Sequence, residues 1–519
     1  MYFMSTQKND DNEYSDAPLG NDAPAKGTAG AKSGVLDDIK LVAEDYTIKS
    51  GPSYGNNFFF TIGVYLLLLF GILAVSGMVM ALFGPYWWNM TPLGTFLRSI
   101  HLWAAEAFVT LLFVHLLVNF TTSAFKHRKL MWLVGSLMLL LVLFEYAFGV
   151  GLGGSLVAQT NQQAGADLWN GMGLGFWINP MNSGAVYGWH VAIIPILLMA
   201  LMFLHYGIVR KRGLSTPYRK DIPYSIAPID HKIMYKRIVY ILALVVIFAL
   251  VFSAPYIPPL TISQAAVQHP DAVASAFLNE SNMSSATATY LDTINPYTFN
   301  TRTVYVTEPY AVYLNLTHSN NSEAQFIAEN ATQQNATLSD AYAYFVANGS
   351  ISTGMNSSNP MIKLASQLTY MAQTGAYQPI LQGEVESGAN TTYVIRFLFD
   401  TGVLWDVATE YNLTVPQWGM LSVGEPPWSL QYWLAPYNEL ENATGNIPWW
   451  NDIENGTTGA FAFLILILLP YIPGIRAIPD KLKLYKLFWN RYTVPEMREN
   501  ARKGKGLSKA FKDDHRPKD

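Results

Sequence analysis

Nine histidines punctuate the 519 residues, and four of them fall inside apolar runs: His101 and His115 in one, His190 and His205 in another. An imidazole is expensive in hydrocarbon without a partner, so an intramembrane histidine is first read as a functional group. The spacings are 14 and 15 residues, roughly 21–22 Å along a helix at about 1.5 Å per residue. Fourteen residues are close to four turns at about 3.5 residues per turn, so each pair faces one side of its helix. Two facing helices of this kind offer two imidazoles at each of two depths, which suits axial bis-histidine ligation of a haem. Such ligation leaves no open iron position, so the group would pass electrons and would not bind oxygen. Four unrelated buried histidines bonded to backbone carbonyls are the plain alternative, and matched depth and spacing argue against it. Two glycine pairs repeat the interval, Gly63/Gly77 and Gly135/Gly149; a residue without a side chain lets a helix or a flat macrocycle approach the backbone.

The elements that must hold these residues follow from the apolar runs at about 58–83, 99–121, 130–152, 186–209, 237–254 and 459–475. A bilayer takes about 20 apolar residues, so six membrane helices are expected. The fold class is an all-α membrane protein: a four-helix bundle over 57–217, two further helices, and a large domain outside. Charge gives the orientation. The 126–129 turn reads Lys-His-Arg-Lys, and basic residues crowd 210–237, while 476–519 holds 13 Lys/Arg against 6 Asp/Glu. Segment 153–185 has no Lys or Arg, and 255–458 has only Arg302, Lys363 and Arg396 against 17 acids. Basic loops stay cytoplasmic. Both termini are therefore placed inside a plasma membrane, with 84–98, 153–185 and 255–458 outside. The expected organisation is a polar cytoplasmic tail (1–56), the bundle (57–217), a cytoplasmic loop and fifth helix (218–254), the outer insertion (255–458), a sixth helix (459–475) and a basic tail (476–519). Twelve Asn-X-Ser/Thr sequons, from Asn279 to Asn455, lie in the outer insertion, so glycosylation is expected there.

Composition excludes other classes. Half the residues are hydrophobic and only 13% are charged, about half the soluble norm of roughly a quarter. The net charge of −4 shows no basic excess, so nucleic acid is not a partner. With no cysteine at all, the chain cannot hold a thiolate-ligated zinc, an iron–sulfur cluster or a covalently attached haem.

The stretches RSIHLWAAEAFVTLLFVHLLVNF (98–120), AFKHRKLMWLVGSL (124–137) and WHVAIIPILLMALMFLHYGIVRKRGLSTP (189–217) resemble cytochrome b of the Rieske/cytochrome b complexes. The 15-residue second spacing, Pro195 five residues after His190 and the Arg-Lys-X-Gly ending are similar to the form of photosynthetic and many prokaryotic membranes. The resemblance implies two haems, b type or a modified A-type, with His101/His190 on the outer, lower-potential one and His115/His205 on the inner, higher-potential one. It also implies that Arg98 pairs with a propionate, which suits an arginine at the membrane edge. DIPYS (221–225) and FSAPYIPP (252–259) look like the start of the family's second half. EPPWSLQYW (425–433) stands where the family has its Pro-Glu-Trp-Tyr quinol-oxidation motif. Glu425, Pro427 and Trp428 are thus the candidate catalytic group, with the carboxylate accepting a quinol proton. Asp230, Asp221 and Arg210 are weaker candidates for an inner quinone site.

The implied function is the cytochrome b subunit of a respiratory quinol-oxidising complex. Its partners would be quinone, membrane lipid, a separate Rieske iron–sulfur protein and terminal oxidase subunits. Sequon density points to an archaeal form. Three departures stand against the family pattern. The arginine shortly before the helix-four histidine is missing, some 170 residues are inserted outside, and only one clear helix follows the Glu-Pro-Pro-Trp segment. A di-haem anchor of a hydrogenase or formate dehydrogenase would share the paired histidines but not the glycine spacing, and a membrane-anchored surface glycoprotein would carry no haem.

Overall fold

The computed structural model describes residues 50–171, 174–175, 177–214, 226–252, 258–289, 299–347, 349–383, 391–411 and 463–487. Among them, five helices are long and apolar enough to cross a membrane, and the chain is an all-α, multi-pass membrane protein.

The first two spans share a corner. Helix α1 (Phe58–Met90) starts at Asn57, whose side chain accepts from the Phe59 N–H, and it kinks at Gly84, the one residue inside it with positive φ (77°). Thr91 closes α1 and opens α2 (Pro92–Thr121), accepting from the Gly94 N–H while Pro92 fills the first turn. Serine-type caps and an N-terminal proline satisfy or dispense with the orphan N–H groups of a new helix. Gly94 is required at this corner, because a β-carbon there would lie 2.3 Å from the Trp87 carbonyl oxygen. Helix α3 (Lys129–Leu152) returns antiparallel to α2 through a short basic turn.

Helix α4 (Leu156–Gly171) follows, then α5 (Ser183–Gly188), a π turn at Trp189–Ile193 and α6 (Ile194–Arg212), the last three forming one continuous span. Pro195 lacks an N–H and crowds the turn before it, and the helix answers by widening. His190 sits in that widened turn. The fifth span is α7 (His231–Val251), which begins six residues earlier than the apolar run at 237 suggests. Asp230 caps it by accepting from the Ile233 N–H, and Lys232, Lys236 and Arg237 ride on its first turns. Trp103 of α2 donates to the Phe252 carbonyl (2.9 Å) and packs on Phe248, fastening α7 to the bundle. Strands β1 (Ser50–Pro52) and β2 (Ile226–Pro228) pair antiparallel just before α7.

The sixth apolar run differs from expectation. Its start lies outside the described residues; 463–468 is helical, and the chain then turns at Leu469–Tyr471 instead of continuing to 475. Pro470 and Pro473 remove the donors that a longer helix needs. The segment instead lies against the α2–α3 turn. Trp132 donates to the Leu466 carbonyl (2.7 Å), and Lys126 pairs with Asp480.

The large insertion is a helical domain. Its elements are α8 (Ile262–Gln268), α9 (Pro270–Ser281), α10 (Ala286–Thr289), α11 (Glu308–Thr317), α12 (Ser322–Ala328), α13 (Ala331–Val346), α14 (Ile351–Gly354), α15 (Pro360–Gln373), α16 (Tyr377–Gln382), α17 (Thr392–Asp400) and α18 (Val403–Glu410). Phe277, Tyr305, Tyr377 and Phe397 meet in tilted and edge-to-face contacts at its centre, with ring separations of 4.9–5.4 Å. Leu156, Val157 and Ala166 of α4 and Met181 join the same core, so the 153–185 connection and this domain lie at one end of the bundle. That arrangement follows from α4 being amphipathic and too short to span: its apolar side needs a cover.

Candidate haem-binding site

The four histidines gather as two pairs. At one level, the rings of His101 (α2) and His190 (the π turn) face each other with centroids 6.3 Å apart and planes at 73°. Both can reach a metal between them with bonds of roughly 2 Å. At the other level, His115 (α2) and His205 (α6) are near enough to interact electrostatically. Among the described residues, no three His, Asp or Glu side chains converge as a bare ion would need. Two nitrogens per level suit a metal that brings its other donors in a macrocycle.

Hydrogen bonds fix which nitrogen is available. Ser76 of α1 donates its hydroxyl to the Ile72 carbonyl (2.7 Å), so at 2.8 Å it accepts from Nδ1–H of His101. His190 Nδ1 lies 3.0 Å from the Glu145 carbonyl oxygen and 3.2 Å from its carboxylate Oε1, both acceptors, so it too carries the proton. In each ring Nε2 keeps the lone pair that ligation needs. His205 Nδ1 is buried without a partner among the described residues.

Three of the four glycines lie against an imidazole. A β-carbon on Gly77 would lie 3.3 Å from His101 Cε1, one on Gly149 2.8 Å from His190 Cε1, and one on Gly135 3.8 Å from His205 Cε1. Helices α1 and α3 thus press bare backbone against the imidazole edges. Nothing lies within 4 Å of a β-carbon built on Gly63. The paired rings, fixed tautomers and side-chain-free walls fit a haem at the His101/His190 level, and the second histidine pair with Gly135 beside His205 is compatible with one at the other.

Arg98, one turn before His101, donates to Asn89 Oδ1 (2.8 Å), stacks over Trp88 (5.3 Å) and comes within 3.6 Å of a β-carbon built on Gly153. It stands at the α4 end of the bundle, on the side of the His101/His190 level. Asp230 caps α7, and Arg210 is on the last turn of α6. Glu425, Pro427, Trp428 and Asp221 lie outside the described residues.

Two carboxylates escaped the reading of the sequence: Glu106 in α2 and Glu145 in α3, the only acids within the five spans. Tyr146 donates to Glu106 Oε1 (2.5 Å), tying α3 to α2. The signal was present, since an acid in an apolar run is as unusual as a histidine.

Residues 106–265 match the family model described as cytochrome b (N-terminal)/b6/petB, a stretch that contains three of the four histidines and begins five residues after His101. Among curated relatives, cytochrome b6 of Heliobacterium mobile is 28% identical over 209 residues, covering 35% of this chain and 96% of that protein. The cytochrome bc1 complex cytochrome b subunit of Mycobacterium tuberculosis is 33% identical over 129 residues, 22% of this chain and 24% of that protein. A solved structure titled "Hyperthermophilic respiratory Complex III" aligns over 66% of this chain and 97% of that one, at 18% identity and a TM-score of 0.34.

Proposed function

Since the chain carries a cytochrome b/b6-family domain, we propose that it is the cytochrome b subunit of a respiratory quinol-oxidising complex and holds two bis-histidine haems. The observation that carries this reading is the pairing of His101 with His190 against the bare backbone of Gly77 and Gly149. His101 and His190 would hold the haem nearer the 258–411 domain, and His115 and His205 would hold the one at the far level. Each haem, when bound, takes up and releases one electron. The residues of the chain fix the ligating nitrogens, exclude water and set the electrostatics, and the redox chemistry is the cofactor's.

Arg98 offers a guanidinium for a propionate at the first level, where such a pair is strong and directional. The 258–411 domain lies outside the cell membrane with the 153–185 connection, following the basic loops on the opposite side. Six sequon asparagines in it, Asn282, Asn315, Asn320, Asn330, Asn335 and Asn356, are exposed, as glycosylation requires. The Glu425-Pro-Pro-Trp428 segment is assigned to quinol oxidation at that outer side, with Glu425 taking the proton. A separate Rieske-type protein accepts one electron, since this chain has no cysteine to hold a cluster. The composition of the domain and its sequons agree with an archaeal source.

The test is a reduced-minus-oxidised spectrum with haem quantification on the purified full chain. Two low-spin haems per chain are expected; a chain with none would sink the reading. Quinol-driven haem reduction that is unchanged in Glu425→Gln would remove the outer-site assignment alone.

A further inference from the structure

The two levels are not built alike, and the difference lies behind the ligands. His101 is backed by a neutral hydroxyl, Ser76 Oγ at 2.8 Å. His205 Nδ1 has no partner among the described residues. Among the described residues, His190 is the one of these rings backed by a carboxylate: Glu145 sets Oε1 at 3.2 Å and its own carbonyl at 3.0 Å from Nδ1. The second carboxylate oxygen, Oε2, is buried with no partner among the described residues. This acid sits in the middle of an apolar helix, where a charge has few ways to be offset.

We infer that Glu145 is a positioning and tuning residue for the haem held by His101 and His190, forming a carboxylate–histidine–iron relay that makes this level harder to reduce than the other. A carboxylate that accepts from Nδ1–H fixes the ring and raises the basicity of Nε2, which favours the oxidised metal. Its field acts in the same direction, because a fixed negative charge in a medium of low dielectric stabilises the more positive oxidation state. The first effect is confined to His190 and the second weakens with distance, so the relay acts more strongly here than at the His115/His205 level and separates two otherwise similar sites. The inference rests on the bis-histidine reading above.

The test is Glu145→Gln in the full, haem-loaded chain. Glutamine keeps the shape and an acceptor oxygen and removes the charge. We expect two haems to remain, and the reduced-to-oxidised ratio of one of them to rise roughly tenfold at fixed ambient potential, with only that haem's low-spin resonance moving. Ser76→Ala, which removes the neutral support of His101, is expected to shift the same ratio less than threefold. Unchanged ratios and spectra in Glu145→Gln, or an equal shift in both variants, overturn the relay while leaving the ligation reading intact. If Glu145→Gln loses that haem, Glu145→Asp decides: its retention with a near-native ratio supports the role of the carboxylate, and its loss overturns it. A wild-type chain without haem overturns the ligation reading instead.

Discussion

A β-carbon placed on Gly149 would stand 2.8 Å from Cε1 of His190, so the backbone of α3 touches the edge of the imidazole. The ring cannot yield easily, because its Nδ1 is held by Glu145 from the same helix. Gly149→Ala is therefore expected to push His190 off its axis and to cost the haem at the His101/His190 level. Haem quantification should approach one per chain in place of two. Gly135→Ala is the milder change, because its β-carbon meets His205 at 3.8 Å, an ordinary contact, and it should keep more haem than Gly149→Ala. Equal loss in both would refute the assignment of this packing.

The levels are separable. His115 and His205 lie on the same helices as His101 and His190, four turns along. His115→Leu should remove one haem and leave the other with its native spectrum, and His190→Leu should do the converse. The double variant should hold none. Loss of both haems from either single variant in a chain that still folds, judged by its helical circular dichroism, would show that the two sites do not load independently.

Much of the bundle was legible because its signals are periodic. Histidine and glycine spacings mark faces, and apolar length marks spans, so α2, α3 and α6 lie where the sequence puts them. Signals carried by single residues were harder to place. Asp230, a candidate near an inner quinone, has a second role that the sequence did not show: it caps α7, one oxygen accepting from the Ile233 N–H. The insertion defied assignment because its helices are short and its core is assembled from distant pieces. Phe277 and Phe397 meet at 4.9 Å across 120 residues, and α4, from another loop, completes the core. Glu145 was legible in type but not in role, since only the fold brings it to His190.

Arg128 shows the same gap between charge and geometry. Read along the chain it belongs to a basic cluster that orients the protein, but in the fold its guanidinium donates to the carbonyls of Arg212 (3.1 Å), Gly213 (2.7 Å) and Leu214 (2.9 Å). The last carbonyls of a helix lack intrahelical donors, and a cation there also complements the helix dipole. Arg128→Ala should loosen the end of α6 by roughly 2–3 kcal/mol, the scale of hydrogen bonds to a charged group. Hydrogen exchange at the amides of 210–214 should accelerate accordingly, with little change at Ile194–Leu198. Arg128→Lys should rescue only part of the effect, because an ammonium cannot match the fork of the guanidinium.

The 258–411 domain should be most stable in acid. Glu280 is fully buried. Burial and the neighbouring Asp400 carboxylate push its carboxyl up to about 9, and burial raises Asp400 as well. A group that holds its proton more tightly when folded than when unfolded makes the folded state bind more protons, so stability falls as pH rises. The contribution is complete below the unfolded value near 4.5 and is lost progressively up to about 9. The slope is on the order of 1 kcal/mol per pH unit. Arg396 acts against this trend at Asp400 but does not reverse it. Protection of the α9 and α17 amides, taken as the exchange rate relative to the intrinsic base-catalysed rate at each pH, should therefore fall steadily between pH 4 and 9. Glu280→Gln, which cannot ionise, should flatten that dependence while leaving exchange in α2 and α3 unchanged. A domain that grows more protected across the same range would show that the Glu280–Asp400 pair does not share a proton in the folded state.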